Sequence, residues 1–119
     1  MIDPTSPPHT YIVTAHAYTT AAIRHAVSNG VRGIEHGNLM DLSCAQMMAD
    51  KKIFLTPTLS CYGIMVRPPF EDFLSDEGKR KNLEVMRKGL DAMVMAEKVG
   101  VVVCYGSDLL TSVSEGITF

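Results

Sequence analysis

The chain has 119 residues, which is enough for one domain and too few for two. Its composition, 46% hydrophobic and 20% charged, is that of a globular protein and argues against disorder. A formal net charge of -2 provides neither the basic stripe expected of a nucleic-acid-binding protein nor a polybasic patch for an anionic membrane. No segment approaches the roughly 18 apolar residues of a membrane span. We therefore expect no nucleic-acid or membrane partner.

The N-terminal segment and the cysteines predict a cytoplasmic location. Residues 1–10, MIDPTSPPHT, have neither the basic nor the apolar region of a secretory signal and are predicted to be an irregular tail. The three cysteines, Cys44, Cys61 and Cys104, are odd in number and lack C-x-x-C spacing. They are expected to be buried, reduced thiols and not a disulfide framework.

The first half of the chain predicts two strand–helix units. The β-branched run YIVTA is typical of a buried strand, and the short run around GIE is typical of a second. Each is followed by a polar residue suited to an N-cap and by apolar residues at helical spacing. The predicted elements are a strand at 11–15, a helix beginning at Thr19 or Thr20 and ending at Gly30, a strand at 33–35, and a helix beginning at Asp41 or Ser43.

The second half predicts two more strands around one long helix. KIFLTPTL is a third strand in which Pro57 marks an end or an irregularity, because proline cannot donate to a ladder. The remaining predicted elements are a long loop at 61–76, a helix beginning at Ser75 or Asp76 and ending at Gly100, and a fourth strand at 101–105. Alternating strands and helices with near-continuous apolar strands predict the α/β class with a parallel sheet.

Three side chains with ligand chemistry follow predicted strands. His16 follows the first strand, His36 the second and Asp108 the fourth. In parallel α/β folds, functional groups collect at the carboxyl ends of strands. Two imidazoles and a carboxylate suit a borderline-soft divalent ion such as zinc, although iron, manganese or cobalt is also accepted by such a set, and they leave a position open for water. Such an ion activates the bound water, and Asp108 is placed to accept its proton as well as to bind the metal.

Other readings of the same residues stay open. A histidine at a strand end is more often a hydrogen-bonded polar residue than a ligand, and a tyrosine there, such as Tyr18, is either a pocket residue or a packing residue. His25 falls on the polar side of the first helix and is expected to be solvated, and His9 lies in the tail. No base is placed beside a cysteine by the sequence, so the thiols are expected to be inert.

Three motifs together carry a family resemblance. VTAHAYTTAAIRHAVSNGVRGIEHG, LTPTL and CYGSD resemble the C-terminal half of the barrel in metal-dependent amidohydrolases, in the subgroup of imidazolonepropionases, Xaa-Pro dipeptidases and ochratoxinase-like amidases. The resemblance implies that the four predicted strands are strands five to eight of a TIM-type (β/α)8 barrel and that residues 11–119 are a partial barrel domain. It implies that His16 and His36 bind metal and that Asp108 binds metal and accepts a proton, for hydrolysis of a small amide or dipeptide-like substrate.

The sequence also departs from that family. It contains no H-x-H pair, and no strand remains to supply the bridging lysine of the fourth barrel strand. A closed barrel needs at least roughly 200 residues, so this chain amounts to half of one. Three hypotheses follow: a hydrolase half that works with a second copy or a complementing barrel half, a non-catalytic remnant of a truncated amidohydrolase, and a small metal- or ligand-binding module.

Overall fold

The computed structural model describes residues 11–109, so the predicted tail at 1–10 and the last residues of the predicted domain, 110–119, lie outside the described residues. The described part is an α/β structure in which strands and helices alternate before two helices follow in succession. In chain order the elements are β1 Thr14–Thr19, α1 Thr20–Ser28, β2 Gly33–Leu39, α2 Leu42–Asp50, β3 Phe54–Thr56, α3 Leu59–Ile64 and α4 Asp76–Val99.

The sheet is parallel and has three strands in the order β1-β2-β3. The predicted fourth strand at 101–105 is wrong as a full strand. It is reduced to one parallel bridge between Leu55 and Val103. Two backbone hydrogen bonds hold it, from the Leu55 amide to the Val102 carbonyl at 2.9 Å and from the Cys104 amide to the Leu55 carbonyl at 2.7 Å. The segment therefore lies beside β3 without extending the sheet.

The predicted helix boundaries are confirmed by their caps. Thr19, Asp41 and Ser75 are the N-caps of α1, α2 and α4, and each side chain accepts a backbone hydrogen bond from the first turn. Gly100 ends α4 in the left-handed conformation, with φ of 88°, which glycine adopts without a steric penalty. Short polar side chains and glycine thus mark these boundaries correctly.

Several predicted boundaries differ from the structure. The first strand spans Thr14–Thr19 and not 11–15, since its ladder with β2 begins at the Thr14–Gly33 pair. The third strand, Phe54–Thr56, is shorter than the predicted KIFLTPTL run, but its end directly before Pro57 confirms the prediction made from the missing N–H of proline. The predicted loop at 61–76 is wrong at its start, because α3 runs through Ile64.

The helices bury one face of the sheet. α4 packs on β2 and α2, and α1 packs on β1. The apolar cluster between these layers comprises Ala17, Ile23, Ile34, Met40, Cys44, Ala45, Met48, Ile53, Leu55, Ala92, Ala96 and Val101. Among residues 11–109, no helix combines the length and apolar character needed to cross a bilayer.

The other face of the sheet carries polar side chains in a row. His16 pairs with Glu35, and Glu35 pairs with Thr56, so these three residues stand side by side on neighbouring strands. One row below, the Phe54 ring covers the space above Gly33, where a Cβ atom would collide with it. This face leads up to the carboxyl ends of the strands, where the predicted site residues lie.

Candidate functional site

The structure brings the three predicted site residues together. His16 on β1 and His36 on β2 are hydrogen-bonded through their rings, with Nδ1 of His16 2.8 Å from Nε2 of His36. The same Nε2 lies 3.9 Å from Oδ2 of Asp108, which follows the bridge segment. His36 is 4% exposed, whereas the Asp108 side chain is 52% exposed. One nitrogen of a buried imidazole therefore faces both a second imidazole and a solvent-facing carboxylate.

A bend in β2 is what turns His36 toward His16. In the regular register His16 pairs with Glu35, which places the side chain of the next residue on the opposite face of the sheet. His36 and Gly37 have φ of 80° and 65°, outside the β region, and the pairing with β1 shifts between Ala17 and Thr19. This irregularity brings the His36 ring to His16.

Left-handed backbone is concentrated at the site. Within residues 11–109, four non-glycine residues have positive φ, and three of them are His36, Thr58 and Asp108, with φ of 80°, 53° and 48°. The fourth is Lys52. Such conformations cost of order 1–3 kcal/mol each for a residue with a side chain, and they cluster at functional sites.

Two further side chains hold the His36 ring. The Thr58 hydroxyl is hydrogen-bonded to Nδ1 of His36 at 2.7 Å, on the side away from His16. The Tyr18 ring stacks on His36 with a centroid distance of 4.7 Å and an interplanar angle of 8°. Both ring nitrogens and one ring face of His36 are thus in contact with protein. Both alternatives for Tyr18 therefore apply: its ring packs on the site residue His36, and its side chain is also exposed to solvent.

A buried polar network extends from the site to α4. The Tyr62 hydroxyl lies 3.4 Å from the Tyr18 hydroxyl and 3.3 Å from Oδ1 of Asn38. Asn38 in turn donates from Nδ2 to the Val85 carbonyl at 2.8 Å. Asn82 donates to the Tyr62 carbonyl at 2.7 Å, which ties α3 to α4. Hydrogen bonds therefore connect the site to α4, the longest helix.

Burial shifts the pKa of two groups in this network, His36 and Tyr62. Desolvation lowers the pKa of His36, an effect that the nearby Asp108 carboxylate partly opposes. Desolvation, together with the bond to Tyr18, raises the pKa of the Tyr62 phenol well above its ordinary value. Burial therefore favours the neutral form of the His36 imidazole, which is the form that binds metal.

The donor chemistry fits a divalent ion, but the observed arrangement does not complete a ligand set. Zinc lies about 2.0–2.1 Å from imidazole nitrogen, so two nitrogens on one ion are roughly 3 Å apart, close to the separation of His16 and His36. Asp108 stands farther off, at 3.9 Å. Within residues 11–109, no three His, Cys, Asp or Glu side chains are grouped so as to hold a metal ion. The histidine pair fits as two ligands.

Other predictions concern residues away from the site. His25 is exposed on α1 as expected, whereas His9 lies outside the described residues. Cys44 and Cys61 are buried as predicted, and burial raises the pKa of both thiols, which favours the unreactive protonated form. The prediction is wrong for Cys104, which is only partly buried.

Sequence reasoning missed three residues of the network: Asn38, Thr58 and Tyr62. Asn38 stands two residues after His36, and Thr58 directly follows the proline that ends β3. Their positions near strand ends are the sequence signal that could have identified them as site residues. Tyr62 lies within the predicted loop at 61–76, where the sequence carries no such signal.

No protein-family profile matches this chain, and no curated protein matches it. Solved structures do. A prolidase complexed with N-methylphosphonate-L-proline is 40% identical, with a TM-score of 0.73 over 83% of this chain and 24% of its own. An amidohydrolase is 39% identical, with a TM-score of 0.73 over 83% of this chain and 24% of its own.

A third match is the ochratoxinase of A. niger, 28% identical, with a TM-score of 0.70 over 82% of this chain and 22% of its own. The structural neighbours of this chain are amidohydrolase-type hydrolases. The chain spans about a quarter of the length of the solved proteins it matches first.

Proposed function

We propose that this chain is a fragment of a metal-dependent amidohydrolase and corresponds to strands five to eight of its (β/α)8 barrel. The supporting observation is the convergence of His16 within β1, His36 within β2 and Asp108 after the bridge segment, with 2.8 Å and 3.9 Å between the facing atoms. The neighbours named above are hydrolases that share the fold of this part of the chain. The assignment of residues 11–119 to a partial barrel domain belongs to the same proposal.

In this proposal each site residue has one role. His16 and His36 hold a divalent metal, zinc being the best fit to imidazole ligands, and Thr58 supports His36 from behind. When bound, such a metal polarises a carbonyl group and makes water acidic enough to attack it near neutral pH. Asp108, half exposed at the rim and 3.9 Å from Nε2 of His36, would accept a proton from such a water.

The substrate class follows from the neighbours and from the chemistry. The prolidase was solved with a phosphonate analogue of a proline peptide. We therefore propose small amides or Xaa-Pro dipeptide-like molecules as substrates, hydrolysed at the C–N bond. Because the H-x-H pair and the bridging lysine are absent, the isolated chain is expected to be weakly active or inactive. A cytoplasmic location remains part of the proposal.

Completion of the barrel would require further strands at both edges of the described sheet. Two copies related by a two-fold along the barrel axis would supply strands on both open edges, and a complementing barrel half would do the same. We propose the homodimer as the assembly of the isolated chain.

A second candidate is a non-catalytic metal- or ligand-binding remnant. It is favoured by one observation: within the described residues only the two histidines are close enough to share an ion, which suffices for weak binding but not for a hydrolytic centre. In that case zinc binds without turnover.

Hydrolysis of an aryl amide and of Xaa-Pro dipeptides with added zinc separates the two candidates. Turnover that is abolished by Asp108→Asn and retained by Asp91→Asn, an exposed aspartate on α4, supports the hydrolase. Zinc binding without turnover, both by the chain alone and after addition of a complementing barrel half that carries the H-x-H pair and the bridging lysine, supports the remnant. Turnover that is equal in both variants contradicts the proposed role of Asp108.

A further inference from the structure

Asn38 is a buried amide near the end of β2, just beyond the bend that turns His36 toward His16. Its side chain is 1% exposed. A buried amide is costly unless its donor and its acceptor both find partners. Asn38 finds them on two helices: Nδ2 donates to the Val85 carbonyl of α4 at 2.8 Å, and Oδ1 lies 3.3 Å from the hydroxyl of Tyr62 on α3. The side chain therefore links the end of β2 to both helices.

The bond to Val85 depends on a glycine one turn later in α4. Inside a helix the Val85 carbonyl accepts from the backbone amide of residue 89, and its second lone pair remains for Asn38. A Cβ atom at Gly89 would lie 2.5 Å from Nδ2 of Asn38, so a larger residue there would push this amide away. The sequence of α4 therefore leaves room for Asn38 at the carbonyl that it bonds.

The backbone of β2 is held differently on the two sides of the bend. Before the bend, β2 pairs with both neighbouring strands, and its pairing with β3 ends at Glu35 and Thr56. His36 and Gly37 then have left-handed backbone, with φ of 80° and 65°. Beyond them, within residues 11–109, β2 has only β1 as a strand neighbour, and that pairing shifts register before Leu39. A left-handed histidine persists only where its surroundings fix it, so the segment beyond the bend needs a further anchor.

We propose that Asn38 is a positioning residue that anchors the end of β2 to α4 and thereby fixes the bend that places the His36 ring against His16. Its own hydrogen bonds go to Val85 and Tyr62, so it acts on His36 through the backbone of β2. The contact that it maintains is the 2.8 Å approach of the two imidazoles. The effect on the rings does not depend on a metal, whereas its consequence for zinc binding rests on the proposed function.

The test measures ring contacts of His36 by nuclear Overhauser effects in NMR spectra of the full chain without metal. In the structure the ring centroid of His36 lies 5.0 Å from that of His16 and 4.7 Å from that of Tyr18. Wild type is expected to show effects between the ring protons of both pairs. Asn38→Ala removes the bond to α4 and is expected to lose both, because the bend is then no longer anchored.

Asn82→Ala is the matched control. Asn82 also donates a side-chain amide to a backbone carbonyl, that of Tyr62 at 2.7 Å, but this bond joins α3 to α4 and does not involve β2. Asn82→Ala should therefore keep both ring contacts, even if it lowers the midpoint of urea unfolding as much as Asn38→Ala does. Gly89→Ala disturbs the same anchor from the side of the helix and is expected to lose the ring contacts, so it decides if Asn38→Ala does not fold.

Zinc titration gives a second readout. Asn38→Ala is expected to bind Zn²⁺ at least about tenfold more weakly than wild type, because a displaced His36 no longer shares an ion with His16, whereas Asn82→Ala should bind as wild type does. Ring contacts that persist in folded Asn38→Ala, that are lost equally in Asn82→Ala, or that are absent in wild type would overturn the proposal. Absence of zinc binding in wild type would count against the proposed function, while the ring contacts still decide the role of Asn38.

Discussion

His36 is the residue on which the site depends. It makes polar contacts through both ring nitrogens and stacks against Tyr18, although its own backbone is left-handed. Since the folded chain maintains this conformation, the surrounding contacts must outweigh a cost of order 1–3 kcal/mol. The bend at His36 and Gly37 is thus a structural requirement of the contact with His16.

Gly37 tests that requirement. It has φ of 65°, and a Cβ atom there would lie 2.8 Å from Cδ1 of Leu55 in the core. Gly37→Ala is expected to lower the free energy of unfolding by about 1–3 kcal/mol in urea titrations, because both the backbone and the packing oppose a side chain. Gly63→Ala is the control, since a Cβ atom there meets nothing within 4 Å, and it should leave stability unchanged or raise it. Equal effects would contradict the strained bend.

Tyr62 predicts an alkaline loss of stability. Its pKa is raised in the folded chain above the ordinary value of 10.0, so the folded state keeps the proton to higher pH than the unfolded state. The folded state therefore binds more protons above about pH 10, and the free energy of unfolding falls as the pH rises through that range. Tyr62→Phe should flatten this dependence in urea titrations, whereas Tyr105→Phe, at an 80% exposed tyrosine, should retain it. Both variants keep the buried thiols, so identical slopes would refute the role of Tyr62.

Residue chemistry predicts the identity of the site but not its internal contacts. The order of His16, His36 and Asp108 along the predicted strands indicates that the three side chains lie close together, because parallel strands end at one edge. The prediction that the two histidines follow their strands is wrong, since His16 lies within β1 and His36 within β2. The bend at His36 was not predictable, since a histidine within a strand pattern carries no signal of positive φ. Thr58 was missed because threonine after proline is common in turns of every kind.

At the scale of elements, α4 is positioned by a glycine. A Cβ atom at Gly89 would lie 2.5 Å from Nδ2 of Asn38 and 2.7 Å from Cδ2 of Leu59, so the helix approaches the β2 end and α3 only because position 89 has no side chain. This close approach allows Asn38 to bond the Val85 carbonyl. The helix thereby reaches the polar network behind His36.

Gly89→Ala is expected to destabilise the chain although alanine favours helices by about 1 kcal/mol over glycine. The collision with Asn38 should lower the free energy of unfolding by about 1–3 kcal/mol and should also perturb the His36 NMR signals. Gly78→Ala, in the first turn of α4, is the control, because the nearest atom to its Cβ, Oγ of Ser75, lies at 3.2 Å and belongs to a small side chain. Stabilisation by Gly89→Ala would show that the helix does not need this contact.

The helix caps can be predicted from the sequence, whereas the edge of the sheet cannot. Asp41 and Ser75 identify helix starts because each satisfies an otherwise unpaired backbone N–H. The VVVCY run predicted a strand on its β-branched residues, yet it forms one bridge at Val103, while Val102 is exposed. β-propensity reflects packing on both sides, and within residues 11–109 this segment has a strand partner only on the side of Leu55.

At the scale of the whole molecule, the open sheet is the feature that calls for a partner. Exposed apolar side chains lie near both edges, among them Tyr11, Ile12, Val102 and Tyr105. In the proposed two-fold barrel, each strand faces its own copy across the axis. Glu35, on the uncovered face between His16 and Thr56, would then approach the partner's Glu35.

This juxtaposition makes the homodimer testable. Light scattering should give twice the 13.0 kDa of one chain, and Glu35→Gln should tighten dimerisation at least about tenfold, because like charges facing each other across an interface cost several kcal/mol. Glu97→Gln, at an exposed glutamate of α4, should leave the dimerisation constant unchanged. A wild-type monomer at all concentrations would exclude the two-fold barrel and leave a complementing half as the partner.

Zinc titration of the purified chain by calorimetry tests most directly whether the two imidazoles form one site. We expect saturable binding that is lost in His16→Ala and in His36→Ala and is unchanged in His25→Ala, where the exposed histidine of α1 is removed. Equal zinc binding by all three variants, or none by wild type, would contradict a shared metal site at these strand ends.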